Sequence, residues 1–94
     1  PAYLFEFACA LEEAGANIGL DKEVAKELAI ETILGAGRLM ARSEHHPETL
    51  RNHVTSPNGT TQAALETFAE GDFRELVRRA VQAARDRSVE LSDA

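Results

Sequence analysis

Ninety-four residues suffice for one domain, and a chain of this size buries only roughly 60–65% of its unfolded surface. Abundant Ala, Leu and Glu, few aromatics and no Trp make the composition that of a soluble helical protein. A net charge of −6 argues against a nucleic-acid module, and no run approaches the roughly 18 apolar residues needed to span a membrane. The single cysteine, Cys9, has no internal partner, which fits a reducing, cytoplasmic setting. No signal peptide is expected, because the apolar start lacks a basic flank and is interrupted by Glu6 and Glu12. The chain opens at Pro1 inside an apolar pattern, as a segment of a longer protein would.

The periodicity predicts five helices and no strand. The first covers about Ala2 to Ile18, with Leu4, Phe7, Ala8, Leu11, Ala14 and Ile18 at three- and four-residue steps. Tyr3, at its start, reads equally as a core aromatic or as part of a pocket. Cys9 has no basic neighbour to depress its pKa and is expected in the core. Gly19 or Gly15 can end this helix, and Asp21 is a suitable N-cap for the next. The second helix, about Lys22 to Ser43, is apolar nearly all round, through Leu28, Ile30, Ile33, Leu34, Leu39 and Met40. A helix of that kind is covered on all sides. One small chain can hardly supply the cover, and Gly35, Ala36 and Gly37 would let another helix approach, so an oligomer interface is expected here.

The third helix is short, about Pro47 to Val54, with Pro at its favoured first position. The fourth spans about Thr60 to Glu70, with Ala64, Leu65 and Phe68 inward. Gly71 is read as its stop and Asp72 as the next N-cap. The fifth, about Phe73 to Leu91, carries the cleanest stripe: Phe73, Leu76, Val77, Ala80, Val81, Ala84, Ser88 and Leu91. Its arginines alternate with Glu75 and Asp86 and read as a solvated or pairing face. Residues 92–94 are expected to fray.

His45, His46 and His53 resemble a metal set, but adjacent histidines at a helix start are more often cap and surface residues, and no metal site is expected. Glu44 is expected to be exposed. The segment that reads as a site is Val54–Thr61, VTSPNGTT. Pro57 fixes its own φ and restricts Ser56, while Asn58 and Gly59 readily accept φ > 0. A turn opening into a helix points unpartnered N–H groups at one spot, at the positive end of the helix dipole. Thr55, Ser56, Thr60 and Thr61 supply four hydroxyls where a cap needs one, and no acidic residue lies between Thr49 and Ala64 to occupy the donors. An ordinary structural turn also accounts for this composition.

At this motif the chain resembles the C-terminal domain of pyrroline-5-carboxylate reductase, over essentially its whole length. Pro1–Tyr3 resembles the end of the family's G-S-G-P-A-Y segment, and Ala10–Gly15 its EALADAG-type first helix. Thr32–Ala36 matches T-x-L-G-A and Glu44–Arg51 matches E-x-H-P-x-x-L-R. The signature V-T-S-P-G-G-T-T is matched at seven of eight positions, with Asn58 in place of the first Gly. The resemblance implies an all-α, five-helix domain of an intertwined homodimer or a larger assembly, one domain over residues 1–94. The family's N-terminal Rossmann domain, which carries NAD(P)H, has no counterpart in this sequence, and no cofactor is expected on this chain. The implied reaction is reduction of 1-pyrroline-5-carboxylate to L-proline in proline synthesis, with no activity from these 94 residues alone. By resemblance, Ser56, Gly59, Thr60 and Thr61 hold the substrate carboxylate, largely through backbone N–H groups, and the Thr61 hydroxyl meets the ring nitrogen. Asn58 joins this substrate-binding set as the residue whose side chain can narrow the site or hydrogen-bond locally. A ligand-free helical dimerisation module and a related imine or hydroxyacid reductase are the competing readings.

Overall fold

A computed structural model describes residues 1–93. It contains α1 (Ala2–Asn17), α2 (Lys22–Arg42), α3 (Pro47–His53), α4 (Thr60–Glu70) and α5 (Phe73–Asp93), and no strand among the described residues. The expected five helices are all present. Their ends differ by a residue or two from the sequence reading, except that α5 runs on through Ser92 and Asp93 where fraying was expected. Ala94 lies outside the described residues. The chain divides into two compact units, Pro1–Leu50 and the residues from Arg51 onward.

In the first unit, α1 and α2 form a helical hairpin. The Pro1 carbonyl accepts from the N–H groups of Leu4 and Phe5 and starts α1. Its end is a Schellman motif: Gly19 N–H donates to the Ala16 carbonyl and Leu20 N–H to the Gly15 carbonyl, with Gly19 at φ +107°. Asp21 then caps α2, its carboxylate accepting from Glu23 N–H at 3.0 Å. The buried seam is narrow. Ala25 and Ala29 are buried and Ile33 half-buried on α2, facing half-buried Phe7, Ala8, Leu11 and Gly15 on α1. A Cβ on Gly15 would sit 3.0 Å from the Ala25 Cβ, so this glycine serves close packing and is not the helix stop.

Cys9 is exposed, contrary to the core position expected for it. Two residues beyond Phe7 it lies about 200° around the helix, off the one face that α2 covers. Leu4 and Ile18 share the angular face of Phe7 and Leu11 but lie at the two ends of α1, Ile18 being its C-cap, and both are exposed, Ile18 at 81%. Around α2, Val24, Leu28, Ile30, Leu34, Leu39 and Met40 are all exposed, as expected for a helix that its own chain cannot cover. Nothing approaches within 4 Å of a Cβ built on Gly35 or Gly37.

In the second unit, α4 turns into α5 through Gly71 and Asp72, and the rings of Phe68 and Phe73 stack across the corner at 5.2 Å. Gly71 sits at φ −85°, open to any residue, and it is Asp72 that takes the left-handed conformation, φ 55°. Asp72 does stand where an N-cap stands, its carbonyl accepting from Leu76 N–H at 2.9 Å. None of the expected inward residues of α5 is buried, and of those on α4 only Leu65 is even half-buried. An amphipathic stripe states which face wants cover without stating what supplies it. On the polar face of α5, Glu75 pairs with Arg78 and Arg87 with Glu90, as a pairing face should. No helix among the described residues is long and apolar enough to cross a membrane.

Candidate functional site: the turn before α4

The approach to the turn is fixed by backbone-directed bonds from the end of α3. Thr55 N–H donates to the Asn52 carbonyl and the Thr55 hydroxyl to the Arg51 carbonyl. Ser56, Pro57, Asn58 and Gly59 then form a β-turn closed by Gly59 N–H to the Ser56 carbonyl at 3.1 Å. Pro57 is second in this turn and Asn58 third, at φ 60°. That is the pattern of a type II turn, which needs a residue tolerant of the left-handed region at its third position. Asn58 meets that need at lower strain than other residues with a Cβ. Gly59 is extended, at φ −91° and ψ −175°, and needs no glycine freedom. It needs the space: a Cβ there would lie 3.2 Å from the Ser56 carbonyl oxygen.

Gly59 is the N-cap of α4 and has no side chain to close the helix start. The first intrahelical bond runs from Ala63 N–H to the Gly59 carbonyl. The N–H groups of Thr60, Thr61 and Gln62 therefore have no partner among the described residues, and the first turn of α4 contains no acidic side chain. The hydroxyls of Ser56, Thr60 and Thr61 make no hydrogen bond within the described chain either. Three parallel donors at the positive end of a helix, flanked by free hydroxyls, suit an anion such as a carboxylate.

A family profile described as pyrroline-5-carboxylate reductase dimerisation matches residues 1–91. The chain belongs to that family. It is 45% identical over 93 residues to pyrroline-5-carboxylate reductase from Pseudomonas aeruginosa, covering 99% of this chain and 34% of that enzyme. The structure of a pyrroline-5-carboxylate reductase from Coxiella burnetii superposes with a TM-score of 0.93 at 44% identity, over 97% of this chain and 34% of that one. Plasmodium falciparum pyrroline carboxylate reductase, solved with NADP bound, superposes at 0.90 with 33% identity, over 94% of this chain and 34% of that one. The chain thus spans about a third of the length of the relatives it matches.

Within this member of the family, the sequence-predicted residues divide by what their backbone is doing. Thr60 and Thr61 present open N–H groups, whereas the Gly59 N–H is committed to Ser56 and the Asn58 N–H to the Gln62 side chain. The open N–H groups in this structure are thus those of Thr60, Thr61 and Gln62, because the β-turn uses the Gly59 N–H to close itself. Gln62 is the residue sequence reasoning missed, although a Gln three positions after an N-cap is one half of a capping box. His46 Nδ1 accepts from Glu48 N–H at 3.0 Å and caps α3, and no group of three metal-ligating side chains occurs among the described residues. Glu44 is exposed. A surface depression is lined by Val24, Glu27, Leu28, Ile30 and Glu31 of α2 and contains none of the turn residues.

Proposed function

We propose that this chain is the dimerisation and substrate-binding domain of an enzyme that reduces 1-pyrroline-5-carboxylate to L-proline with NAD(P)H. The observation that carries the proposal is the set of three unpartnered N–H groups at Thr60–Gln62, at the end of the family's signature segment and just beyond it. The substrate carboxylate would accept from these donors, each charge-assisted bond contributing roughly 1.5–3 kcal/mol. Ser56 and Thr60 hydroxyls are free to add to the cradle, and Asn58 and Gly59 shape it. With the carboxylate held, the ring is presented to the Thr61 hydroxyl, which would hydrogen-bond the imine nitrogen and relay the proton that nitrogen takes up on reduction. Orientation and electrostatics are then this domain's share of catalysis.

The described residues do not fit a dinucleotide. A Rossmann site needs a strand running into a G-x-G-x-x-G turn, and here there is no strand, while Gly35 and Gly37 lie inside α2 with Met40 at the third position. NAD(P)H, the hydride donor, would be held by another domain of the enzyme, as the resemblance implies, and these 94 residues alone would not turn over substrate.

A second copy of the chain is the partner we assign to the exposed apolar girdle of α2 and the stripe of α5, giving an intertwined homodimer. We assign the enzyme to the cytoplasm, with no nucleic-acid or membrane partner; the net charge of −6 argues against nucleic acid. The test of the site is titration of the full-length reductase with L-proline, following backbone amide resonances. Thr60, Thr61 and Gln62 should move most, while the already bonded Asn58 and Gly59 amides move less. A response spread evenly along the segment, or none, counts against the cradle.

A further inference from the structure

The carboxylate cradle depends on a turn whose third residue is not glycine, and Gln62 holds that residue in place. Its Oε1 accepts from Asn58 N–H at 2.6 Å, and its Nε2 donates to Glu66 Oε1 at 3.0 Å. Only one orientation of the amide serves both contacts, since the backbone N–H needs an acceptor and the ionised carboxylate needs a donor. Glu66 thus fixes which end of Gln62 faces the turn. In an ordinary capping box the residue three after the N-cap reaches back to the N-cap N–H, and a hydroxyl at the N-cap returns the favour. Here both halves are altered. Gly59, the N-cap, has no hydroxyl to return, so the Gln62 N–H stays open, and the Gln62 side chain reaches one residue further back, to Asn58.

We propose, on the basis of the carboxylate-binding reading above, that Gln62 is the positioning residue of the substrate cradle. Its side chain clamps left-handed Asn58 and removes that N–H from competition for the anion, which leaves the carboxylate to Thr60, Thr61 and Gln62. Asn58 tolerates its conformation with some strain, and the clamp offsets it; a glycine at the same place would need no clamp. The Asn at 58 and the Gln at 62 therefore act as a pair.

The experiment is a double-mutant cycle in the full-length reductase. Gln62→Leu should raise KM for 1-pyrroline-5-carboxylate about fivefold or more, with kcat changing less than about twofold and KM for NAD(P)H unmoved. In an Asn58→Gly background the same Gln62→Leu change should raise KM less than about twofold, because glycine holds the turn unaided. Should Gln62→Leu fold poorly, Gln62→Ala, a strong helix former without an acceptor, takes its place in the cycle. An unchanged KM, or the same rise in both backgrounds, overturns the pairing. Thr61→Val measured alongside separates the two readings. If it impairs turnover while Gln62→Leu leaves KM alone, only the clamp is wrong. If neither variant changes the kinetics, the cradle and the clamp fall together.

Discussion

Gly59→Ala is the sharpest probe of the turn, because its effect can be worked out from two distances. At φ −91° alanine meets no conformational barrier, and restricting the unfolded chain would by itself stabilise by roughly 0.4–1 kcal/mol. Against that, the new Cβ would stand 3.2 Å from the Ser56 carbonyl oxygen and 3.4 Å from the Ser56 Cβ. The carbonyl cannot swing away freely, since it accepts the Gly59 N–H at 3.1 Å and is followed by the rigid ring of Pro57. Overpacking of this kind costs roughly 1–3 kcal/mol, so the net destabilisation should be about 1 kcal/mol. The displaced backbone is the N-cap of α4, and its movement misaligns the three N–H groups that follow. Losing about half of one charge-assisted bond to the carboxylate is about 0.8–1.5 kcal/mol, or roughly four- to tenfold in kcat/KM. The assays are steady-state reduction of 1-pyrroline-5-carboxylate by the full-length enzyme and its thermal midpoint. Gly71→Ala serves as the control: its Cβ meets only ordinary contacts, 3.6 Å to the Thr67 carbonyl oxygen and 3.7 Å to that of Phe68, and φ is −85°. That variant should be neutral or stabilised by a few tenths of a kcal/mol, with full activity. If Gly59→Ala behaves like Gly71→Ala, the turn is not a rigid cradle.

Three further outcomes are expected. Thr61→Val in the full-length enzyme should lower kcat/KM by roughly tenfold or more, since a hydrogen bond to the reacting nitrogen is worth about 1.5–3 kcal/mol; unchanged kinetics would remove Thr61 from the chemistry. Gly35→Ala and Gly37→Ala each add a Cβ that meets nothing within 4 Å in this chain and should strengthen α2 by roughly 1 kcal/mol, yet weaken self-association if a second copy packs there. Sedimentation across a concentration series decides, and undiminished assembly would take Gly35 and Gly37 out of the interface. Finally, the hydrogen bond from Arg78 holds the Glu75 carboxyl below its ordinary value. The pair's contribution to α5 is thus present above the unfolded carboxylate's pKa of about 4.3 and is lost as pH falls through the lower folded value. Both side chains are solvated, so the contribution is small and salt-sensitive, and Glu75→Gln should flatten the acid limb of a thermal-midpoint profile only slightly.

The local half of this protein was legible in its sequence. Helical periodicity, the Asp21 cap, the glycine at position 19 and the left-handed tolerance of Asn58 are all short-range effects, set by sterics and by hydrogen bonds spanning a few residues, and each stands where the residue types place it. The segment Val54–Thr61 likewise reads as a candidate anion site from its residue types alone, and the start of α4 stands there without a side-chain cap. What the tertiary structure decided is which of several equally suitable groups is already in use. Composition cannot say that Gly59 N–H closes its own β-turn, that Gln62 takes the Asn58 N–H, or that the open donors are those of Thr60, Thr61 and Gln62. Nor can a stripe say what covers it: α1 presents to α2 only the face of Phe7, Ala8, Leu11 and Gly15, leaving Cys9 on the far side in solvent and Ile18 exposed at the helix end. Apolar character is a property of one residue, whereas burial and hydrogen-bond commitment belong to pairs, and pairs exist only once the chain is folded.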